Sequence, residues 1–153
     1  MPEFFDISLI SRKTSTSKSV MDACLNQLGL SEGENKSELL KGKQVVVSYF
    51  EDEESDFEEM SIGIPEQLFT KENFDNELEP ITNFVNQCFQ CNPNLEYALC
   101  SYELNGYLIG QVKKLQDFSA NDFLKRFPVT YQRINPVDIP HLKLNTEAQE
   151  IFT

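Results

Sequence analysis

Residues 44–64, QVVVSYFEDEESDFEEMSIGI, decide the fold, because two apolar segments here flank a run of carboxylates. The first segment, residues 44–50, is rich in β-branched and aromatic side chains, which predicts a strand. In the second, over residues 60–64, apolar side chains alternate with small ones, which predicts another strand that starts as early as Phe57. Two neighbouring strands joined by a short polar segment are most simply a hairpin.

Outward from this hairpin, the pattern towards the N-terminus predicts one more strand and one helix. Apolar and polar residues alternate over residues 5–9, the period of a half-buried strand. A helix over residues 20–28 is predicted from its apolar face, with Ser19 as its N-cap and Gly29 after its end. Residues 31–43 are hydrophilic and predict a connector.

Towards the C-terminus, the clearest helix lies over residues 74–89, where apolar side chains recur at helical spacing. Pro80 either kinks this helix or starts it, because proline is tolerated in the first turn. An Asn-Gly pair at 105–106 separates the apolar segments 97–104 and 107–110. It predicts a second hairpin, since both central residues of a type I′ turn need positive φ.

A third helix is predicted between Ser119 and Pro128, followed by an edge strand over residues 129–134. Residues 135–153 are predicted to form an extended C-terminal tail. The resulting order is β-α-β-β-α-β-β-α, in which hairpins alternate with helices. This order predicts an α+β fold, a single domain over residues 1–153 with an antiparallel sheet and helices packed on one face.

The charge balance limits the partners that this chain can bind. It has 25 acidic and 13 basic residues, for a formal net charge of −12. Such a chain lacks the basic face that sequence-independent binding of nucleic acid requires, and anionic lipid should repel it. No apolar stretch approaches the ~20 residues of a membrane span, and no signal peptide is visible, so we expect a cytoplasmic protein.

Four cysteines raise the question of a metal site. Cys88 and Cys91 have metal-like spacing, and with Cys24 and Cys100 they could complete a four-thiolate zinc centre. The favoured interpretation is four free thiols in the core, because Cys24 and Cys88 lie on apolar helix faces. We therefore predict no metal and no cofactor. His141, the sole histidine, is expected on the surface or in the tail.

The acidic run, residues 51–59, is the strongest candidate for a functional surface. It lacks the spacing and the glycine of a calcium loop, and no histidine or lysine accompanies it for acid–base chemistry. One interpretation is a solvated hairpin loop, and the other is a docking surface for a basic protein. The predicted partner-binding residues are Glu51, Asp52, Glu53, Glu54, Asp56, Phe57, Glu58 and Glu59.

In size, charge and element order the chain resembles two classes of small acidic protein. One comprises bacterial immunity proteins, which cap the active site of a basic toxin. The other comprises type III secretion chaperones, α+β dimers whose element order is similar to that of residues 20–127. The resemblance implies a non-catalytic binding protein, most simply of the immunity type, with a chaperone and a small carboxylate enzyme as alternatives. A homodimer is compatible with either binding class.

Overall fold

The structure, a computed structural model, describes residues 4–65, 72, 74–118, 127, 129–133 and 141–144. Its strands are β1 (Phe5–Arg12), β2 (Gly33–Ser37), β3 (Lys43–Phe50), β4 (Phe57–Ile64), β5 (Leu95–Tyr102), β6 (Val129–Gln132) and β7 (His141–Leu144). Its helices are α1 (Ser17–Gln27), α2 (Phe74–Cys91), α3 (Tyr107–Gln111) and α4 (Leu115–Phe118). The strands form one antiparallel sheet in the order β2-β3-β4-β1-β5-β6-β7. The predicted α+β class is confirmed.

The hairpin predicted from residues 44–64 is present as β3 and β4. Val46 pairs with Gly63 at one end, and Phe50 pairs with Glu59 next to the turn. The second strand begins at Phe57, as its alternation predicts. The acidic run therefore includes the first three residues of a strand as well as the connection between the strands.

One face of the sheet packs against α1 and α2. Ile7 and Leu9 of the central strand β1 meet Met21 of α1 and Phe84 of α2 in a single cluster of buried side chains. The end of α1 is formed by Gly29, whose φ is +80°. The backbone N–H groups of residues 29 and 30 close this end by donating to carbonyls of the last turn, which is the Schellman arrangement.

The other face of the sheet is also buried. Ile10 and Leu99 on this face pack against Leu108 of α3 and Phe118 of α4 in a second apolar cluster. We call residues 103–118, which carry both short helices, the covering segment. The predicted placement of helices on one face is thus incomplete, because α3 and α4 pack on the face opposite to α1 and α2.

The second predicted hairpin is wrong. β5 pairs with β1 and β6 instead of with residues 107–110, which belong to helix α3. The chain leaves the sheet at Glu103, which has a φ of +58°, and Gly106, with a φ of +76°, directly precedes the helix. The Asn-Gly pair therefore supplies a positive φ, but at a helix start and not at a hairpin turn.

The predicted connector over residues 31–43 contains a strand. β2 pairs with β3 from Gly33↔Val47 to Ser37↔Lys43 and forms one edge of the sheet. Its residues 33, 34 and 36 are exposed, so it lacks the apolar alternation by which a strand is recognised. A tight turn with positive φ at Lys41 and Gly42 precedes β3.

Several boundaries differ from their predictions. Helix α1 begins at Ser17, before the predicted cap, whereas α2 begins at Phe74, as predicted, and continues through Pro80 instead of starting there. β6 lies between β5 and β7, so it is not an edge strand. The predicted helix over residues 119–127 lies largely outside the described residues. Of the predicted tail, the structure describes only residues 141–144, which form β7.

Candidate functional site

The acidic run is divided between the hairpin turn and the interior. Phe57, Glu58 and Glu59 are 0%, 4% and 0% exposed, respectively. Three of the eight predicted partner-binding residues are therefore buried by the chain itself and do not contribute to an exposed contact surface. The other five lie in the connection between β3 and β4.

Phe57 belongs to the second apolar cluster. Its ring meets that of Phe118 edge-to-face, with 5.0 Å between the ring centroids. Phe57, one of the predicted partner-binding residues, therefore holds α4 against the sheet.

Glu58 points to the opposite face, towards the start of α1. Its Oε1 accepts a hydrogen bond of 2.8 Å from the Ser17 hydroxyl. Its Oε2 is buried without a hydrogen-bond partner among the described residues. Burial raises the pKa of the nearby Tyr49 hydroxyl, and the charge of Glu58 adds to this effect. Glu58 therefore ties β4 to α1 inside the molecule.

Glu59 lies beneath the covering segment. Its Oε2 accepts a hydrogen bond of 2.9 Å from the Ser8 hydroxyl, and its Oε1 accepts one of 3.0 Å from the backbone N–H of Ile109. Ile109 is the third residue of α3, whose preceding residue is a glycine without a capping side chain. Glu59 therefore caps this helix from a neighbouring strand. Burial raises the pKa of Glu59 to about 7, with a contribution from the charge of Asp6.

Asp6 is a second buried carboxylate on the same face, 1% exposed. Its Oδ2 accepts hydrogen bonds from the backbone N–H groups of Leu104, at 2.6 Å, and Asn105, at 3.1 Å. Burial raises the pKa of Asp6 to about 6, although these two hydrogen bonds oppose the shift. Asp6 also lies in a cleft of about 270 Å³ bordered by Phe4, Val46, Gly63, Glu103 and Asn105.

Two further carboxylates of the acidic run hold the far end of the covering segment. Asp52 accepts a hydrogen bond of 2.7 Å from the Lys113 ammonium group, which lowers the pKa of Asp52. Asp56 accepts one of 2.8 Å from the backbone N–H of Leu115, the first residue of α4. Free N–H groups at helix starts need acceptors, and carboxylates are suited to that position.

Four carboxylates thus fasten the covering segment to the sheet: Asp6, Asp52, Asp56 and Glu59. Sequence reasoning missed Asp6, because alternation over residues 5–9 placed it on a solvated face. Nothing in the local pattern showed that β1 would be central and covered on both sides. Because their pKa values are about 6 and about 7, Asp6 and Glu59 can gain or lose a proton near neutral pH. Their oxygens, however, already accept hydrogen bonds from Ser8 and from the backbone of the covering segment.

The residues left in solvent form a smaller acidic surface. Glu51, Glu53 and Glu54 are exposed at the hairpin turn, and we call these three residues the acidic lip. The Tyr49 hydroxyl donates a hydrogen bond of 3.2 Å to Glu51, and none of the three carboxylates forms an ion pair with a described residue.

The four cysteines are not all free, contrary to the favoured interpretation. Cys24 of α1 and Cys91 of α2 form a disulfide, with 5.3 Å between their Cα atoms. Cys88 and Cys100 are free and fully buried, which raises the pKa of each thiol. No group of three metal-ligating side chains occurs within the described part of the chain. None of its described helices has the length and apolar character of a membrane span.

Comparisons with protein-family models, with curated proteins and with solved structures found no match to this chain. The candidate site is therefore characterised by its geometry alone.

Proposed function

We propose that this chain is a non-catalytic binding protein that neutralises a basic protein partner, in the manner of small acidic immunity proteins. The supporting observation is the acidic lip. The fold uses the neighbouring carboxylates internally, yet it leaves three exposed at a single turn without an ion-pair partner in the described structure.

The base of this turn is held in place, which favours its use in binding. Asp52 bonds to Lys113, and its backbone carbonyl accepts a hydrogen bond of 3.0 Å from the Lys13 ammonium group. The backbone N–H of Asp56 donates to the carbonyl of Lys113. A surface that is already ordered loses less conformational entropy when a partner binds.

Exposed charges contribute mainly to the rate of encounter with the partner. Their influence extends over a Debye length of about 8 Å at physiological salt and about 3 Å at 1 M. The proposed contact surface is smaller than the one predicted from the sequence, because Phe57, Glu58 and Glu59 are buried. It comprises Glu51, Glu53 and Glu54, with the partly exposed Asp52 and the exposed Asp56 at its margin.

A pull-down from the native cell, performed at about 0.15 M and about 1 M salt, tests this proposal. The test variant is E51Q/E53Q/E54Q. The matched control is E34Q/E38Q/E79Q, which removes three exposed carboxylates far along the chain from the hairpin turn. We expect the unmodified chain and the control variant to capture a basic protein that the test variant does not capture. High salt should release this protein from the unmodified chain.

Equal capture by both variants would overturn the role of the acidic lip. Capture of a partner that resists high salt would instead favour the chaperone class, because hydrophobic contacts are not screened by salt.

A further inference from the structure

The first part of the covering segment, residues 103–111, is attached to the sheet through two buried carboxylates. Asp6 accepts the N–H groups of Leu104 and Asn105, and Glu59 accepts that of Ile109. Leu104 and Leu108 then fill the apolar cluster beneath this segment. The attachment therefore combines apolar burial with hydrogen bonds to two buried carboxyl groups.

No cation compensates these two carboxylates among the described residues. From the covering segment itself, the charged groups nearby are Glu103, whose negative charge disfavours ionisation of Asp6, and Lys113. Lys113 bonds instead to Asp52, at 2.7 Å, and to the carbonyl of Ile109, at 3.4 Å. From the neighbouring strands, each of the two carboxylates experiences the charge of the other, whereas the buried thiol of Cys100 in β5 lies with Ile7 on the opposite face of the sheet.

Two carboxylates of like charge in an interior without a cation are costly to ionise together. We propose that residues 103–111 form a proton-linked cover, which stays closed while Asp6 and Glu59 retain at least one proton and opens locally as both ionise. This inference does not depend on the acidic lip, because Asp6 and Glu59 are buried beneath the covering segment whereas the lip is exposed at the hairpin turn.

The direction follows from linkage. In the closed state burial raises the pKa of Asp6 from 3.8 to about 6 and that of Glu59 from 4.5 to about 7. When the cover opens, water reaches both groups and their pKa values return towards the ordinary ones. Opening therefore releases protons, so rising pH favours the open state. The effect grows between about pH 4 and pH 7, from the ordinary to the raised pKa values, and then levels off.

Opening would expose an apolar surface that the closed state hides. Leu108 is 0% exposed and Leu104 is 5% exposed, and both pack over the second face of the sheet. The pH of the surroundings would therefore control access to this face.

Amide hydrogen exchange followed by NMR tests the cover in the intact chain. Protection factors, which correct for the intrinsic pH dependence of exchange, are measured for Leu104, Asn105 and Ile109 between pH 5.5 and pH 8.5. If both carboxylates become solvated on opening, linkage predicts a decrease of ten- to about a hundredfold. The amide of Ile62 in β4 reports on opening of the sheet itself, because its strand is paired on both sides, and we expect it to stay more strongly protected than the three covering-segment amides at every pH.

Two variants separate the cover from other effects. E59Q keeps the shape of the side chain and removes one proton-binding group, so we expect most of the pH dependence to disappear. D56N alters a carboxylate that also accepts a backbone N–H of the covering segment but is exposed, and the pH dependence should persist. Protection factors that stay constant with pH in the unmodified chain would overturn the proposal. So would protection at Ile62 no higher than that of the three covering-segment amides, which would make the opening global, or an unchanged pH dependence in E59Q.

Discussion

At the scale of single residues, Gly106 shows how closely the covering segment fits the sheet. Its φ is +76°, and a Cβ at this position would lie 2.9 Å from Cε1 of Phe50. An L-residue is strained by this backbone conformation, and the added carbon would force the ring of Phe50 to move. Glycine is therefore required at the start of α3 for two separate reasons.

Replacing Gly106 with alanine should consequently destabilise the fold. We expect G106A to lower the free energy of unfolding by about 1–3 kcal/mol, measured by urea denaturation. The control is G110A, within α3, where an added Cβ meets nothing within 4 Å. That substitution should be neutral or should stabilise by up to about 1 kcal/mol. A G106A variant as stable as the unmodified chain would contradict the strained geometry.

The buried carboxylates show where residue-level reasoning from sequence stops. The alternation around Asp6 and Glu59 identified their strands correctly, and it assigned their side chains to solvent. Their burial depends on residues 103–118, which fold back over the second face of the sheet. The contacts join positions that are about 50 residues apart for Glu59 and about 100 apart for Asp6. A period of two reveals that a strand has two faces, but it does not reveal what covers each face.

At the scale of elements, strands with strong apolar alternation were predicted and polar or unusually connected ones were not. β3 and β4 carry β-branched and apolar residues, and both were found. β2 was missed because its pairing to β3 uses backbone groups while its side chains stay in water. Residues 107–110 were misassigned because the Asn-Gly signal reports positive φ, a feature shared by hairpin turns and by this helix start.

The disulfide gives a prediction at this scale, since it joins α1 to α2. It links residues separated by 67 positions, so it restricts the unfolded chain considerably. We expect a reductant to lower the free energy of unfolding by about 2–4 kcal/mol, measured by urea denaturation with and without dithiothreitol.

A thiol count provides the control for that prediction. Alkylation of the denatured, unreduced protein followed by mass spectrometry should label Cys88 and Cys100 and leave Cys24 and Cys91 unlabelled. Labelling of all four cysteines would show that the helices are held by packing alone.

At the scale of the whole molecule, the same two carboxylates should make stability depend on pH in an unusual direction. Asp6 and Glu59 have pKa values raised to about 6 and about 7 in the folded protein. The folded state therefore binds more protons than the unfolded state from about pH 4 to pH 7. Their contribution to stability is fully present below about pH 4 and is lost as the pH rises through 6–7.

We expect the free energy of unfolding to fall by roughly 3 kcal/mol between pH 5.5 and pH 8.5. Urea denaturation across this range measures it. E59Q should flatten the profile, whereas D117N, which removes an exposed carboxylate of α4, should leave it unchanged. A rise in stability over the same range would mean that the two groups are ionised and favourably solvated in the folded protein.

The polar edge strand β2 has a consequence for how copies of this protein behave when crowded together. A bare strand edge can template the addition of further strands and so nucleate aggregates. Here the outermost strand exposes Glu34 and Lys36. Charged side chains on an edge strand disfavour such an addition, because pairing would take them partly out of water. This margin of the sheet therefore discourages open-ended polymerisation, which helps a concentrated acidic protein to remain dispersed.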